Sequence, residues 1–307
     1  MKNSDIYENL AKKSGFDVKC IALALQNEKK LRAKELSDMF FSSDTPIRLD
    51  GGTLFFTESF YPAEFFSCAR QIIKSAGIRP ETGFLYLYIC FAEKSYEMFE
   101  SVGVGDDVFF DTMSALGRET DEYFKNSGEY GLYDYVWYCN HVRANVLRLG
   151  SFEYQNGKAD FENTPAKNSG RLIKNGQRAV FIHVPNATEL TKSARIKSYE
   201  KARKLFGTDL FVCDSWLLYE PTVTQLAENS NIRSFFSDFD IVSVFETQER
   251  GELYRVFGRN ADFSDISSLP HSTCLQRVCI NRLKSGLPTG SAVGVLKITQ
   301  ILNNNNI

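Results

Sequence analysis

Over the first 140 or so residues, apolar side chains recur at three- and four-residue intervals, the spacing that gathers them on one face of a helix. After "GVGDD", Phe109, Met113, Leu116 and Tyr123 keep this rhythm, and Gly105 with Asp106 supplies a helix start. Pro62 with Glu64 and Pro80 with Glu81 open two further helices, expected over 62–76 and 80–101. Proline is tolerated in a first turn, and an acid there faces the positive end of the helix dipole.

From about Asn145 the rhythm changes. "NVLRLGSFEYQNGK" alternates apolar and polar residues before Asn156-Gly157, a hairpin-turn dipeptide, which predicts strand and turn. A polar stretch over 162–177 reads as loop, and "RAVFIHVP" as a short strand ended by Pro185. A helix is expected over 190–206, with Ile196, Tyr199, Ala202 and Leu205 on one face and Gly207 closing it. "LFVCDSWLL" (210–218) is a further strand, Pro221 begins a helical region to about Phe236, and "DIVSVFETQERGELYRVFG" reads as two strands about a turn near Gly251. "STCLQRVCINRLKSG" spaces Leu275, Cys279 and Leu283 as a helix capped by Gly286, and "SAVGVLKIT" is the last strand. The expectation is α+β: a helical domain over 1–143, a mixed α/β domain over 144–300, and a disordered asparagine-rich tail over 301–307.

Composition narrows the partners more than the activity. The 307 residues are 43% hydrophobic and 24% charged, ordinary for a globular protein, and 36 basic against 38 acidic residues give a formal charge of -2. No global field favours nucleic acid or an anionic membrane. The start, "MKNSDIYENLAKK", lacks the apolar core of a signal peptide, and "GFLYLYICFA" is about half the roughly 20 residues of a membrane span, so a cytoplasmic location is expected. Seven scattered cysteines form neither a disulfide framework nor a Cys-x-x-Cys pair. His141, His183 and His271 lack paired-ligand spacing, so no metal is expected.

Three segments hold candidate chemistry. In "VGVGDD" two glycines precede a helix, but Asp106 and Asp107 would repel an anion, which favours a turn and cap. In "PNATELTKSARIKSYEKARK" a helix N-terminus with Lys192, Arg195 and Lys197 suits phosphate groups, or is simply a solvated basic face. His183, at the end of an apolar strand, suits a general base or a hydrogen-bonded core role. In "LFVCDSWLL", alternation sets Cys213 and Ser215 on one face and Asp214 with Trp216 on the other. A Cys213-His183-Asp214 triad is therefore awkward.

The segments "LRLGSFEYQ", "FIHVPNATELT", "FVCDSWLL", "LAENSNI" and "TCLQRVCINRLKSG", in this order, resemble a bacterial acyltransferase family with an N-terminal helical N-acyltransferase domain and a C-terminal GNAT-like domain. "VGVGDDVFFDTMSALGRE" and "YVWYCNHVRANVLRLG" fit it more loosely. The resemblance implies an acyl-CoA or acetyl-CoA co-substrate and direct transfer of the acyl group to a small amine or peptide within a ternary complex. It implies His183 as general base, Ser215 lining the cleft, and Asp214 or Tyr219 as other acid-base groups. Val184, Asn186, Ala187, Thr188, Lys192 and Arg195 would meet the coenzyme. The family's glycine-rich Arg/Gln-x-x-Gly-x-Gly/Ala loop is absent from "PNATELTKSA", and Asp214 stands where the family more often has histidine. The alternatives are a non-catalytic ligand-binding or interaction protein on the same scaffold and a Cys213 hydrolase.

Overall fold

The computed structural model describes residues 3–42, 47–48, 54–55, 61–159, 164–186, 188–247 and 253–303. The chain divides into two compact units, one of residues 1–149 with 153–157 and the other of 150–152 with 158–307.

The first unit is helical: α1 (Asn3–Ser14), α2 (Val18–Asn27) and α3 (Ala33–Ser42) precede two short strands, β1 (Ile47–Arg48) and β2 (Leu54–Phe55). Then come α4 (Ala63–Ser75), α5 (Pro80–Cys90), α6 (Ala92–Ser101), α7 (Asp106–Ser127) and α8 (Tyr135–Val142). Residues Thr82 to Ile89 of α5 are all buried, as expected of a central helix that is apolar on every side. The helix expected over 80–101 breaks at Phe91, whose ring packs with Phe40 (centroids 5.4 Å apart) and Phe65 (6.0 Å). Helix α7 starts after Gly105 in extended conformation and stops at Gly128, left-handed at φ 73°. A Cβ on Gly117, within α7, would meet the backbone oxygen of Ser14 at 2.1 Å, so glycine permits the α1–α7 contact.

Where "NVLRLGSFEYQNGK" predicts one strand ended by a turn at Asn156-Gly157, the chain forms two, β3 (Val146–Leu149) and β4 (Phe152–Lys158). The chain reverses at Gly150-Ser151, where Gly150 takes φ 76°, while Asn156 and Gly157 lie inside β4. The polar stretch after it is not all loop, because β5 (Thr164–Pro165) pairs antiparallel with β6 (Leu172–Ile173).

The second unit continues with β7 (Arg178–His183), α9 (Lys192–Phe206), β8 (Phe211–Ser215), α10 (Glu220–Val223), α11 (Asn231–Ser237), β9 (Phe239–Thr247), α12 (Tyr254–Phe257), α13 (Cys274–Lys284), β10 (Thr289–Leu296) and α14 (Ile298–Asn303). Six strands hydrogen-bond in the order β3-β4-β7-β8-β10-β9; β7 and β8 run parallel, and β10 runs antiparallel to both of its neighbours. The expected α+β arrangement, helices first and then a mixed sheet, is what the chain adopts.

Three expectations in this unit are corrected. The second strand of "DIVSVFETQERGELYRVFG" is helix α12: Leu253 and Phe257, four residues apart, pack with Leu269, Cys279 and Ile280. The helical region from Pro221 is two short helices rather than one. The tail loses its first three residues to α14, where Ile298 and Leu302 are buried, and residues 304–307 lie outside the described residues. Among the described residues no helix is long and apolar enough to cross a membrane.

Candidate active site

The sheet opens where β7 and β8 stop pairing. Their parallel register joins Val180 to Phe211 and Phe181 to Val212 and runs no further. Cys213, Asp214 and Ser215 stay in register with Gly294, Val293 and Ala292 of β10, so β8 follows β10 and leaves Ile182 and His183 on the other arm of a fork. A fork in a parallel pair leaves the two facing strand edges available to a ligand.

Alternation decides which side chains reach it. Ala179, Phe181, Leu210, Val212, Val293 and Val295 share one apolar cluster, so the next positions on that face are His183 of β7 and Asp214 of β8. Ser215 belongs to the opposite face, with Cys213. Ser215, expected to line the cleft, thus lies on the face opposite to His183, which shares its own face with Asp214. His183 is half-buried and Asp214 exposed.

The other candidates on this stretch are held by bonds within the fold. Ser215 ends β8, and its hydroxyl oxygen accepts from Leu217 N at 3.1 Å, capping a 3-10 turn over Trp216–Leu218. Trp216 therefore leaves the strand instead of sharing Asp214's face. Tyr219 is 1% exposed, and its hydroxyl donates to Glu246 Oε1 at 2.6 Å. Burial, then the Glu246 carboxylate, push its pKa up, which disfavours proton exchange near neutrality. Cys213 is sealed, and burial with the Asp214 charge pushes its thiol well above the ordinary cysteine range. A thiolate nucleophile finds no support at that position.

Beyond β7 the chain passes through Val184, half-buried, and Asn186, exposed, to the N-terminus of α9. Ala187 lies outside the described residues. The Thr188 hydroxyl donates to Pro185 O at 2.6 Å, closing the turn, and Ser151 O lies 3.3 Å from the same Oγ1. The residue before α9, Thr191, does not cap the helix with its side chain; its hydroxyl donates instead to Glu189 Oε1 at 2.7 Å. The first N–H groups of this 15-residue helix thus have no cap from the Thr191 side chain, and Lys192 at its start and Lys197 in its second turn are exposed.

Arg195 does not join them. It is 1% exposed, and its guanidinium donates to Asp238 Oδ2 (2.8 Å), Ser234 Oγ (2.9 Å) and Leu190 O (2.5 Å). Tyr199 OH also donates to Asp238 Oδ2, at 3.0 Å. The expected direct contact of Arg195 with a phosphate is replaced by an internal brace, because helix periodicity turns position 195 inward with Ser198, Tyr199 and Ala202. Sequence reasoning missed Asp238 and Ser234, whose partners lie about 40 positions away. It also missed a polar group buried in the first unit, where His141 Nε2 lies 3.2 Å from Glu153 Oε2 with Arg148 at 3.9 Å. Among the described residues no cluster of His, Cys, Asp and Glu could hold a metal ion.

Two protein families match the sequence: residues 63–144 as an N-acyltransferase N-terminal domain and residues 146–296 as a GNAT-like C-terminal domain. No curated protein matches it. Solved structures of similar fold include an acyltransferase in complex with decanoyl-CoA (18% identity, TM-score 0.68, 97% of this chain and 88% of that one). Another is an acyltransferase in complex with decanoyl-CoA and teicoplanin (19% identity, TM-score 0.62, 90% and 87%). An acyltransferase mutant in complex with octanoyl-CoA matches at 21% identity and TM-score 0.59 over 70% of this chain and 66% of that one, just under two thirds of its length.

Proposed function

Because the chain belongs to the family that joins an N-acyltransferase N-terminal domain to a GNAT-like C-terminal domain, we propose that it is an acyl-CoA-dependent N-acyltransferase. The observation that carries this reading is the fork between β7 and β8, set beside an α9 N-terminus that its own side chains leave uncapped. The helix N-terminus suits the coenzyme's phosphates, and the fork suits an extended pantetheine arm that hydrogen-bonds to a strand edge.

The reaction is direct. The amine lone pair attacks the thioester carbonyl carbon, the C–N bond forms, and the C–S bond breaks to release coenzyme A as a thiolate that is then protonated. His183 accepts the amine proton, and Asp214, next on the same face of the sheet, stabilises the imidazolium that results. A backbone N–H of β7 beyond Phe181 steadies the developing oxyanion. Bringing donor and amine together in a ternary complex removes much of the entropic barrier.

The structural relative bound to decanoyl-CoA and teicoplanin supports a medium-chain donor and a glycopeptide-type amine acceptor as first compounds to assay. Calorimetric titration with decanoyl-CoA is the primary test, and failure to bind any acyl-CoA from acetyl to decanoyl sinks the reading. With an acceptor identified, His183→Ala is expected to lower kcat by about 10²–10⁴-fold, and unchanged turnover would remove His183 from the mechanism. A second reading, a binding protein on the same scaffold, is favoured by the absence of glycine from the β7–α9 loop. It predicts acyl-CoA binding with no release of free thiol.

A further inference from the structure

The loop between β7 and α9 has no glycine to shape it, yet one backbone carbonyl within it is gripped from the protein interior. Arg195 Nη1 donates to Leu190 O, and the same guanidinium is fixed by Asp238 and Ser234. Leu190 precedes Thr191, the residue before the helix, so its carbonyl shares a rigid trans peptide with the Thr191 N–H. Carbonyl and N–H point in opposite directions across such a plane. Pinning the oxygen inward therefore turns the Thr191 N–H the opposite way.

We infer that Arg195, braced by Asp238, is a positioning residue that orients the Leu190–Thr191 peptide, and through it the N–H cradle at the start of α9, for the phosphates of a coenzyme A thioester. The inference rests on the acyltransferase reading and adds a residue to it. Arg195 never touches the ligand. It acts through one peptide plane, which lets a glycine-free loop present donors to an anion. Lysine keeps the charge but not the planar fork that reaches Asp238 and Leu190 together.

The test compares wild type, Arg195→Lys and Tyr199→Phe with two donors, decanoyl-CoA and the phosphate-free S-decanoyl-pantetheine. Arg195→Lys is expected to raise Kd and KM for decanoyl-CoA about tenfold, the loss of one charge-assisted hydrogen bond, while kcat and turnover of the pantetheine thioester stay at wild-type values. Tyr199→Phe removes a bond to Asp238 but leaves the Arg195–Leu190 contact, so it lowers Tm with no change in Kd. If wild type binds no acyl-CoA, the functional reading falls. If wild type binds and Arg195→Lys binds equally well, or loses both donors alike, the positioning role falls while the functional reading stands. Should Arg195→Lys not fold, Ser234→Ala loosens the same guanidinium; a selective rise in Kd for decanoyl-CoA supports the role, and an unchanged Kd overturns it.

Discussion

Asp240 is 2% exposed, yet its carboxylate accepts from the backbone N–H groups of Asn168 (2.8 Å) and Ser169 (2.7 Å). Burial opposes its ionisation, but the Ser169 hydroxyl and these two N–H groups outweigh it and hold its pKa below the usual aspartate value. Its folded pKa is depressed, so its contribution is complete above the unfolded value near pH 4 and is lost as pH falls through the folded one. Asp240→Asn is therefore expected to cost about 1–3 kcal/mol at pH 7, a gap that narrows below pH 4; urea unfolding at several pH values measures it. Cysteine reactivity divides by burial in the same way. Cys20 and Cys139 are sealed with thiols pushed up to about 12, Cys213 is sealed as well, and Cys274 is exposed. Iodoacetamide on the native protein is expected to label Cys274 and to spare Cys20, Cys139 and Cys213, as peptide mass mapping would show. At this scale the chain spells out His183 and Asp214 as candidates. It does not spell out that Arg195 points inward, since its partners Ser234 and Asp238 come from a different helix and its end.

Among the elements, helices with local signals match their expected spans closely. Helix α7 opens at Gly105 and Asp106, α9 closes at Gly207, and α13 opens with a capping box in which Thr273 and Gln276 satisfy each other's backbone N–H. Thr273→Ala is expected to cost about 1 kcal/mol in chemical denaturation. The elements misjudged are those whose outcome depends on distant partners. "ELYRVFG" has strand-like composition, but Leu253 and Phe257 bury against α13, which local alternation cannot reveal. The hairpin turn falls at Gly150 because its positive φ suits that reversal, whereas Asn156 is 2% exposed inside β4. At Gly117 the constraint is tertiary too: Gly117→Ala drives a methyl group into the Ser14 carbonyl. A loss of about 1–3 kcal/mol is expected from such overpacking, readable as a lower urea midpoint.

At the scale of the whole molecule, a ligand that binds only the folded chain must stabilise it by mass action. Decanoyl-CoA at a hundredfold excess over its Kd is expected to add about 2.7 kcal/mol, and an unchanged melting temperature at that excess would contradict the proposed function. The order of helical region, strand, second strand, helix and next strand was legible from periodicity, because each element carries its apolar face in its own residues. The His183 and α9 candidates followed from where a strand ends and a helix begins. The residue at which β8 leaves β7, just past Val212, was not legible, nor were the one face shared by His183 and Asp214 and the withdrawal of Arg195 behind the loop. Amino-acid order by itself determined which segments are helix or strand and which residues have usable chemistry. Tertiary structure decided which of those residues meet, because strand register, the choice between the two faces of a sheet and the partner of a buried charge are set by contacts between segments far apart in the chain.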